Sequence, residues 1–140
     1  MQPVQDSGPA PLVVDIESLT KENQNYRTTL WTGNHLQITL MSIEPGHDIG
    51  LEIHTDVDQF LRIEEGHATV QIGQNKDAMN SWQAEDDFAI VVPAGNWHNI
   101  INSGDETLKV YSIYSPVQHP HGTVHHTQAE AMAAEEEHHL

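Results

Sequence analysis

Apolar and polar residues alternate along much of the chain, in short runs that are separated by turn-forming residues. A period of two is typical of half-buried β-strands, because successive side chains of a strand point to opposite faces. Strands are expected at 26–32, 35–43, 51–54, 59–64, 67–72, 88–92, 97–102 and 107–115. The dipeptide Gly33-Asn34 between the first two predicts a tight hairpin. Many short strands with frequent turns predict an all-β sandwich or barrel.

The two ends of the chain differ from this alternating middle part. Residues 1–11 are polar and contain three prolines, which predicts a flexible segment. Residues 12–16 favour a short strand or arm. Thr127 and Glu130 have the spacing of a helix capping box, and an acidic, alanine-rich tail follows, so a short C-terminal helix is expected. We therefore predict a flexible segment over 1–11, one barrel domain over 12–118 and an extension over 119–140.

Four potential metal donors lie on the predicted strands. Glu52 and His54 are two residues apart and share a strand face, Gln59 opens the next apolar run, and His98 follows a Pro-Ala-Gly turn. Three neighbouring strands would thus bring the donors together in the mouth of a barrel. For each residue alone, a structural role is the favoured interpretation: a rim carboxylate for Glu52, a strand glutamine for Gln59, and a partly buried histidine bonded to the backbone for His54 and His98. Together, the four favour a metal site.

Two spaced patterns around these donors resemble the two motifs of the cupin superfamily. The first pattern keeps the family spacing through Gly46, Glu52, His54, Gln59 and Gly66, and the second through Asp87, Pro93, Gly95, His98 and Asn102. The chain departs from the family at three positions: Glu52 replaces the first histidine, Gln59 the glutamate and Asp87 a glycine. The resemblance spans about residues 38–115 and implies an antiparallel jelly-roll β-barrel of the cupin type.

The same resemblance implies that Glu52, His54, Gln59 and His98 bind one divalent transition metal ion. The usual cupin set is three imidazoles and one carboxylate, and this chain offers two imidazoles, one carboxylate and one amide, so the negative charge is kept. Such donors suit iron, zinc, manganese, nickel or cobalt, and the sequence does not separate these metals. Gln59 either binds the metal or contacts the substrate.

A second group of histidines lies beyond the last barrel strand, at His119, His121, His125 and His126. Surface histidines near a turn are the favoured interpretation of this group. The alternative is that one of them folds over the pocket and carries a proton.

Composition narrows the choice of partners and compartment. The 140 residues include 21 acidic and 5 basic ones, for a formal charge of −16. This balance argues against nucleic acid and anionic membranes, which require clustered Lys and Arg. The start of the chain lacks the pattern of a signal peptide, and no apolar run approaches membrane-spanning length, so a cytoplasmic location is expected. Exposed strand edges and family habit predict a homodimer.

The function implied by the resemblance is that of a metal-dependent enzyme acting on a small oxygen-rich or carbonyl-containing metabolite, as an isomerase, lyase or dioxygenase. The ending at 109–125 resembles small bacterial cupins that often carry a mannose-6-phosphate isomerase-like label, but few basic residues are present to hold a phosphate. The alternative is a non-catalytic module that binds a sugar-like small molecule. A structural dimerisation domain fits less well with four polar donors at motif positions.

Overall fold

The computed structural model describes residues 4–138, so predictions for residues 1–3 and 139–140 lie outside the described range. Within that range the elements are α1 (Ile16–Glu22), β1 (Arg27–Thr32), β2 (Gln37–Ile43), β3 (Glu52–Ile53), β4 (Asp58–Glu65), β5 (His67–Gly73), β6 (Asn80–Glu85), β7 (Ala89–Val92), β8 (Trp97–Asn102), β9 (Leu108–Ser115), β10 (Val124–His125) and α2 (Gln128–His138).

The strands form two antiparallel sheets with the apolar core between them. The larger sheet has the order β10-β1-β2-β9-β4-β7, and the smaller sheet has the order β3-β8-β5-β6. Leu40, Leu61, Ile63, Ile100 and Val110 have no exposed surface. Each such side chain contributes roughly 1.5–3 kcal/mol through burial, so the core holds the strands that carry the polar donors in fixed positions. The predicted all-β jelly-roll barrel is confirmed.

Two turns of the motif frame need a left-handed backbone. Gly66 has a φ of +114°, and a Cβ there would lie 3.1 Å from the Cα of Leu108, so a larger residue would clash. Asp87 has a φ of 73°. Aspartate adopts this conformation more readily than most residues, and its Oδ1 accepts a hydrogen bond from Nη2 of Arg62 at 3.0 Å. The aspartate that replaces the motif glycine therefore keeps a backbone conformation that glycine favours.

The structure contains two strands that alternation did not predict. Strand β6 has the sequence NSWQAE and is mostly exposed, so it lacks an apolar face and is held by main-chain pairing with β5. Strand β10 has only two residues and pairs with β1. The expected tight hairpin at Gly33-Asn34 is a longer loop, in which the Gly33 amide donates to the Leu36 carbonyl at 3.0 Å. Residues 12–15 form no strand.

Residues 6–10, within the segment predicted to be flexible, make specific contacts with the barrel. The Asp6 side chain is 1% exposed and accepts hydrogen bonds from the Thr32 hydroxyl and from two backbone amides. The Trp31 indole donates to the Ala10 carbonyl at 2.6 Å. The hydrogen bonds to Asp6 therefore hold this segment against the barrel, although its composition is typical of a flexible segment.

The predicted C-terminal helix is confirmed as α2. The Thr127 hydroxyl accepts the Glu130 amide at 3.2 Å, and the Glu130 carboxylate accepts the His126 amide at 3.2 Å, which is a shifted form of the expected capping box. Ala131 is buried in the core cluster and anchors the helix. Among the described residues, neither helix is long and apolar enough to cross a membrane.

Candidate metal centre

Pairing of β3 with β8 brings together donors from the two motifs. Glu52 lies directly opposite His98 in this antiparallel ladder, and Ile53 lies opposite Trp97. His54 follows β3, and its carbonyl accepts the Gly95 amide at 2.8 Å. The Pro-Ala-Gly turn that precedes His98 is therefore tied directly to the strand end that presents His54.

Three of the four predicted donors converge. The His54 Nε2 lies 3.2 Å from a Glu52 carboxylate oxygen, and the His54 and His98 rings are 5.3 Å apart between centroids. One donor atom from each of the three residues lies within 4.8 Å of the other two. Ligands that share a metal at about 2.1 Å lie roughly 3 to 4 Å from one another, so a small closure would complete the geometry.

His98 has the tautomer and charge of a metal ligand. The side chain is 1% exposed, and burial lowers the pKa of His98, which favours the neutral ring. Its Nδ1 lies 3.3 Å from the Asn96 carbonyl, which can only accept, so Nδ1 carries the proton. The Nε2 lone pair is buried and has no hydrogen-bond partner among the described residues. A neutral imidazole with an unshared lone pair is the form that binds metals.

Gln59 reaches the barrel interior from the other sheet. The sequence predicted that the four donors come from three neighbouring strands. This is wrong, because Gln59 lies on β4 of the larger sheet, whereas β3 and β8 belong to the smaller sheet. Gln59 is buried, its amide nitrogen lies 3.5 Å from the Ser112 hydroxyl, and its Oε1 has no partner among the described residues. Across the ladder lies Tyr114, whose ring is 6.3 Å from the His54 ring. Both interpretations of Gln59, as metal ligand and as substrate contact, stay open.

A cavity of about 730 Å³ borders Glu52 and His54. This volume suits a small metabolite. The lining residues are Arg27, Leu51, Glu52, Ile53, His54, Trp97, Gln118, His119, Pro120, Thr123, His125 and Ala134.

Comparison with known proteins identifies the family. The cupin domain family matches residues 39–114, which is more than half of the chain. The chain belongs to the cupin family. Its structure is similar to the crystal structure of BH2720 from Bacillus halodurans, with a TM-score of 0.92 and 59% identity over 93% of this chain and 99% of that one. The mannose-6-phosphate isomerase-like subgroup is not confirmed.

Two sequence relatives extend the similarity beyond the cupin motifs. The chain is 58% identical over 134 residues to the uncharacterized protein YrkC of Bacillus subtilis (strain 168), which covers 95% of this chain and 72% of YrkC. It is 45% identical over 113 residues to the uncharacterized protein L612 of Acanthamoeba polyphaga mimivirus, covering 80% of this chain and 69% of L612. The similarity therefore includes residues outside the two motifs.

The second histidine group divides into two pairs in this cupin. His121 and His126 are exposed, as predicted for surface histidines. His119 and His125 instead line the cavity, so the surface interpretation is wrong for them. The His119 ring packs edge-on against Tyr114 at 5.3 Å. Burial, with a smaller contribution from Arg27, lowers the pKa of His119 to about 3, so the ring is neutral at physiological pH.

Sequence reasoning missed Arg27 as a site residue. Arg27 is 3% exposed and lines the cavity. Its Nη1 lies 3.0 Å from Nδ1 of His125, and its guanidinium stacks over the Tyr26 ring at 5.5 Å. Desolvation and the Arg27 charge together lower the pKa of His125. The one available signal was an arginine, among only five basic residues, inside a strand with apolar and β-branched neighbours.

Proposed function

We propose that this cupin binds one divalent transition metal ion through Glu52, His54 and His98. We propose further that it acts as a metal-dependent enzyme on a small oxygen-rich or carbonyl-containing metabolite. The observation that carries the proposal is the convergence of three donor groups, two of which, Glu52 and His54, line a cavity of about 730 Å³. The buried, unpartnered Nε2 of His98 supports it, because leaving such a group unpaired costs about 1–3 kcal/mol in a folded protein.

The donor set defines the charge of the centre. One carboxylate and two neutral imidazoles leave a divalent ion with a net positive charge. When bound, the ion would supply Lewis acidity toward a ligand oxygen or a bound water. Iron, zinc, manganese, nickel and cobalt all accept nitrogen and carboxylate ligands, whereas calcium and magnesium favour oxygen-only sites.

The residues around the three donors contact the ligand or orient the donor rings. Neutral His119 can exchange a hydrogen bond with a ligand in the cavity without adding charge. Tyr114 packs edge-on against both the His119 ring and the His54 ring, and so holds the two imidazoles in their orientations. A phosphorylated sugar suits the site poorly, because Arg27 is the sole Lys or Arg among the described lining residues.

Metal analysis followed by calorimetric titration tests the proposal. Protein purified without added metal is analysed for its metal content. Metal-stripped wild type is then titrated with zinc, manganese, iron(II) and nickel. We expect one site per chain in the wild type and none in His98→Ala, since one of two imidazoles is lost. His67→Ala is the matched control, because His67 is exposed and pairs with Glu85 at the surface.

The binding and activity measurements decide between the candidate functions. A wild type that binds none of the four metals, or a His98→Ala variant that binds as the wild type does, would refute the metal site. A panel of oxygen-rich and carbonyl compounds, assayed under air and under nitrogen, then tests for catalysis. Turnover by the wild type that is lost in His98→Ala supports an enzyme. Saturable binding without turnover favours the alternative of a non-catalytic binding module.

A further inference from the structure

Arg27 is a buried cation at the border of the cavity. Among the side chains that the structure describes, no carboxylate forms an ion pair with it. Its hydrogen-bond partner is the uncharged His125 ring, and its Nε is buried with no partner within the described part of the chain. A guanidinium that is removed from water without a counter-charge destabilises the fold. An anionic ligand in the cavity would supply that counter-charge.

The guanidinium is held in place before any ligand arrives. Arg27 lies directly opposite His125 in the pairing of β1 with β10. Since arginine can only donate, the His125 Nδ1 accepts, and its ring orientation is fixed by the short contact at 3.0 Å. The Tyr26 ring supports the other side of the guanidinium at 5.5 Å. A preorganised guanidinium loses little conformational entropy when it binds an anion.

We propose that Arg27 anchors the carboxylate group of a small ligand in this cavity, while other oxygen atoms of that ligand face the donor cluster through Glu52 and His54, which line the same cavity. The anchoring role stands without any metal, and the orientation toward the three donors rests on the proposed function. One guanidinium matches one carboxylate in charge and in its paired donor geometry. A phosphate group normally takes several cationic partners, so the carboxylate is the better match.

The charge distribution favours an anion at this place despite the acidity of the chain. The formal charge is −16 overall, yet Arg27 and a loaded metal centre would both be positive at the cavity. His119 lies close to both Arg27 and the proposed metal donor Glu52, because Arg27 lowers the pKa of His119 and Glu52 raises it. Local potential at the cavity, rather than net charge, determines which ligand group is held there.

Pyruvate is a suitable probe, because it combines a carboxylate with a neighbouring carbonyl oxygen, and pyruvamide is its uncharged counterpart. Binding is followed by NMR of nitrogen-15-labelled wild type, first metal-free and then zinc-loaded. We expect saturable shifts of backbone amide signals along β1 and β10 with pyruvate, and a dissociation constant at least about tenfold larger for pyruvamide. Inorganic phosphate, the competing anion, should bind more weakly than pyruvate.

The variants are Arg27→Gln, expected to weaken pyruvate binding about tenfold or more, and Arg62→Gln as the matched control, expected to bind as the wild type does. The Arg62 side chain is 39% exposed, pairs with the buried Glu64 and the exposed Asp87, and does not line the cavity. Equal affinity for pyruvate and pyruvamide in the wild type, tighter phosphate than pyruvate binding, or unchanged binding by Arg27→Gln would overturn the proposal. The first two comparisons use the wild type alone, so they decide the matter even if Arg27→Gln does not fold.

Failure of this proposal is distinguishable from failure of the proposed function. Pyruvate binding that depends on Arg27 in a protein without metal affinity supports the anion site and refutes the metal centre. The converse result is a wild type that binds metal but binds pyruvate and pyruvamide equally, with no change in Arg27→Gln. That result supports the metal centre and refutes the anion site.

Discussion

The docked N-terminal segment leads to a quantitative stability prediction for Asp6→Ala. The Asp6 carboxylate accepts hydrogen bonds from the Thr32 hydroxyl and from the amides of Gly8 and Gly122, the latter two at 3.0 Å. Hydrogen bonds to a charged group contribute about 1.5–3 kcal/mol each, and water can replace part of the loss at the two amides. We therefore expect the free energy of unfolding to fall by about 2 to 4 kcal/mol, which lowers Tm by roughly 6 to 12 °C in a domain of this size.

The measurement is thermal and urea unfolding near pH 7. Burial would raise the pKa of Asp6, but the hydrogen bonds from Thr32 and the two amides outweigh it and lower the pKa. The contribution is therefore present above the ordinary aspartate value and is lost as pH falls through the folded pKa. Asp105→Ala, at an exposed position, is the control and should change stability by less than about 0.5 kcal/mol. A Tm for Asp6→Ala within about 1 °C of wild type would refute the docking.

Three further predictions concern the cavity and the surface. Metal-free His119→Gln should lose less stability than the wild type between pH 6.5 and 4. Burial holds the pKa of His119 in the folded wild type at about 3, so the unfolded chain takes up the proton first, and the free energy of unfolding falls by up to about 1.4 kcal/mol per pH unit. The same change of unfolding free energy with pH in both proteins, measured by urea unfolding, would contradict this. Gln59→Ala should weaken metal binding less than His98→Ala, because water can replace an amide oxygen, and calorimetry showing the reverse order would assign Gln59 a larger role. Val91 is 62% exposed on edge strand β7. If the predicted homodimer forms through β7, Val91→Asp should sediment as a monomer, whereas Val13→Asp, at a 99% exposed site, should stay dimeric. A wild type that sediments as a monomer would refute the homodimer.

The part of the site that could be predicted from the sequence depends on local spacing. Glu52 and His54 share a strand face because side chains alternate, and the turn before His98 sets where β8 begins. These relationships hold within a few residues, and the pairing of β3 with β8 then places Glu52 opposite His98. The core strands could be predicted for the same reason, because the alternation of apolar and polar residues shows which face of each strand is buried.

The remainder depends on contacts between distant parts of the chain. Arg27 and His125 meet because the chain returns to β1 after β9. Strand β10 then pairs with β1 and places His125 opposite Arg27. No local pattern marks His119 as a residue that packs on Tyr114, because the connection after β9 looks like any polar loop. Strand β6 was missed because its exposed polar residues lack the apolar face that alternation detects.

Anomalous scattering from a crystal of zinc-loaded wild type tests the central claim most directly. The account predicts one strong peak per chain, about 2.0–2.2 Å from a Glu52 carboxylate oxygen, the His54 Nε2 and the His98 Nε2. A water or the Gln59 amide oxygen would complete the coordination. The account would be contradicted if crystals grown at saturating zinc showed no peak. It would also be contradicted if the zinc were bound by other histidines, with the His98 Nε2 outside bonding distance.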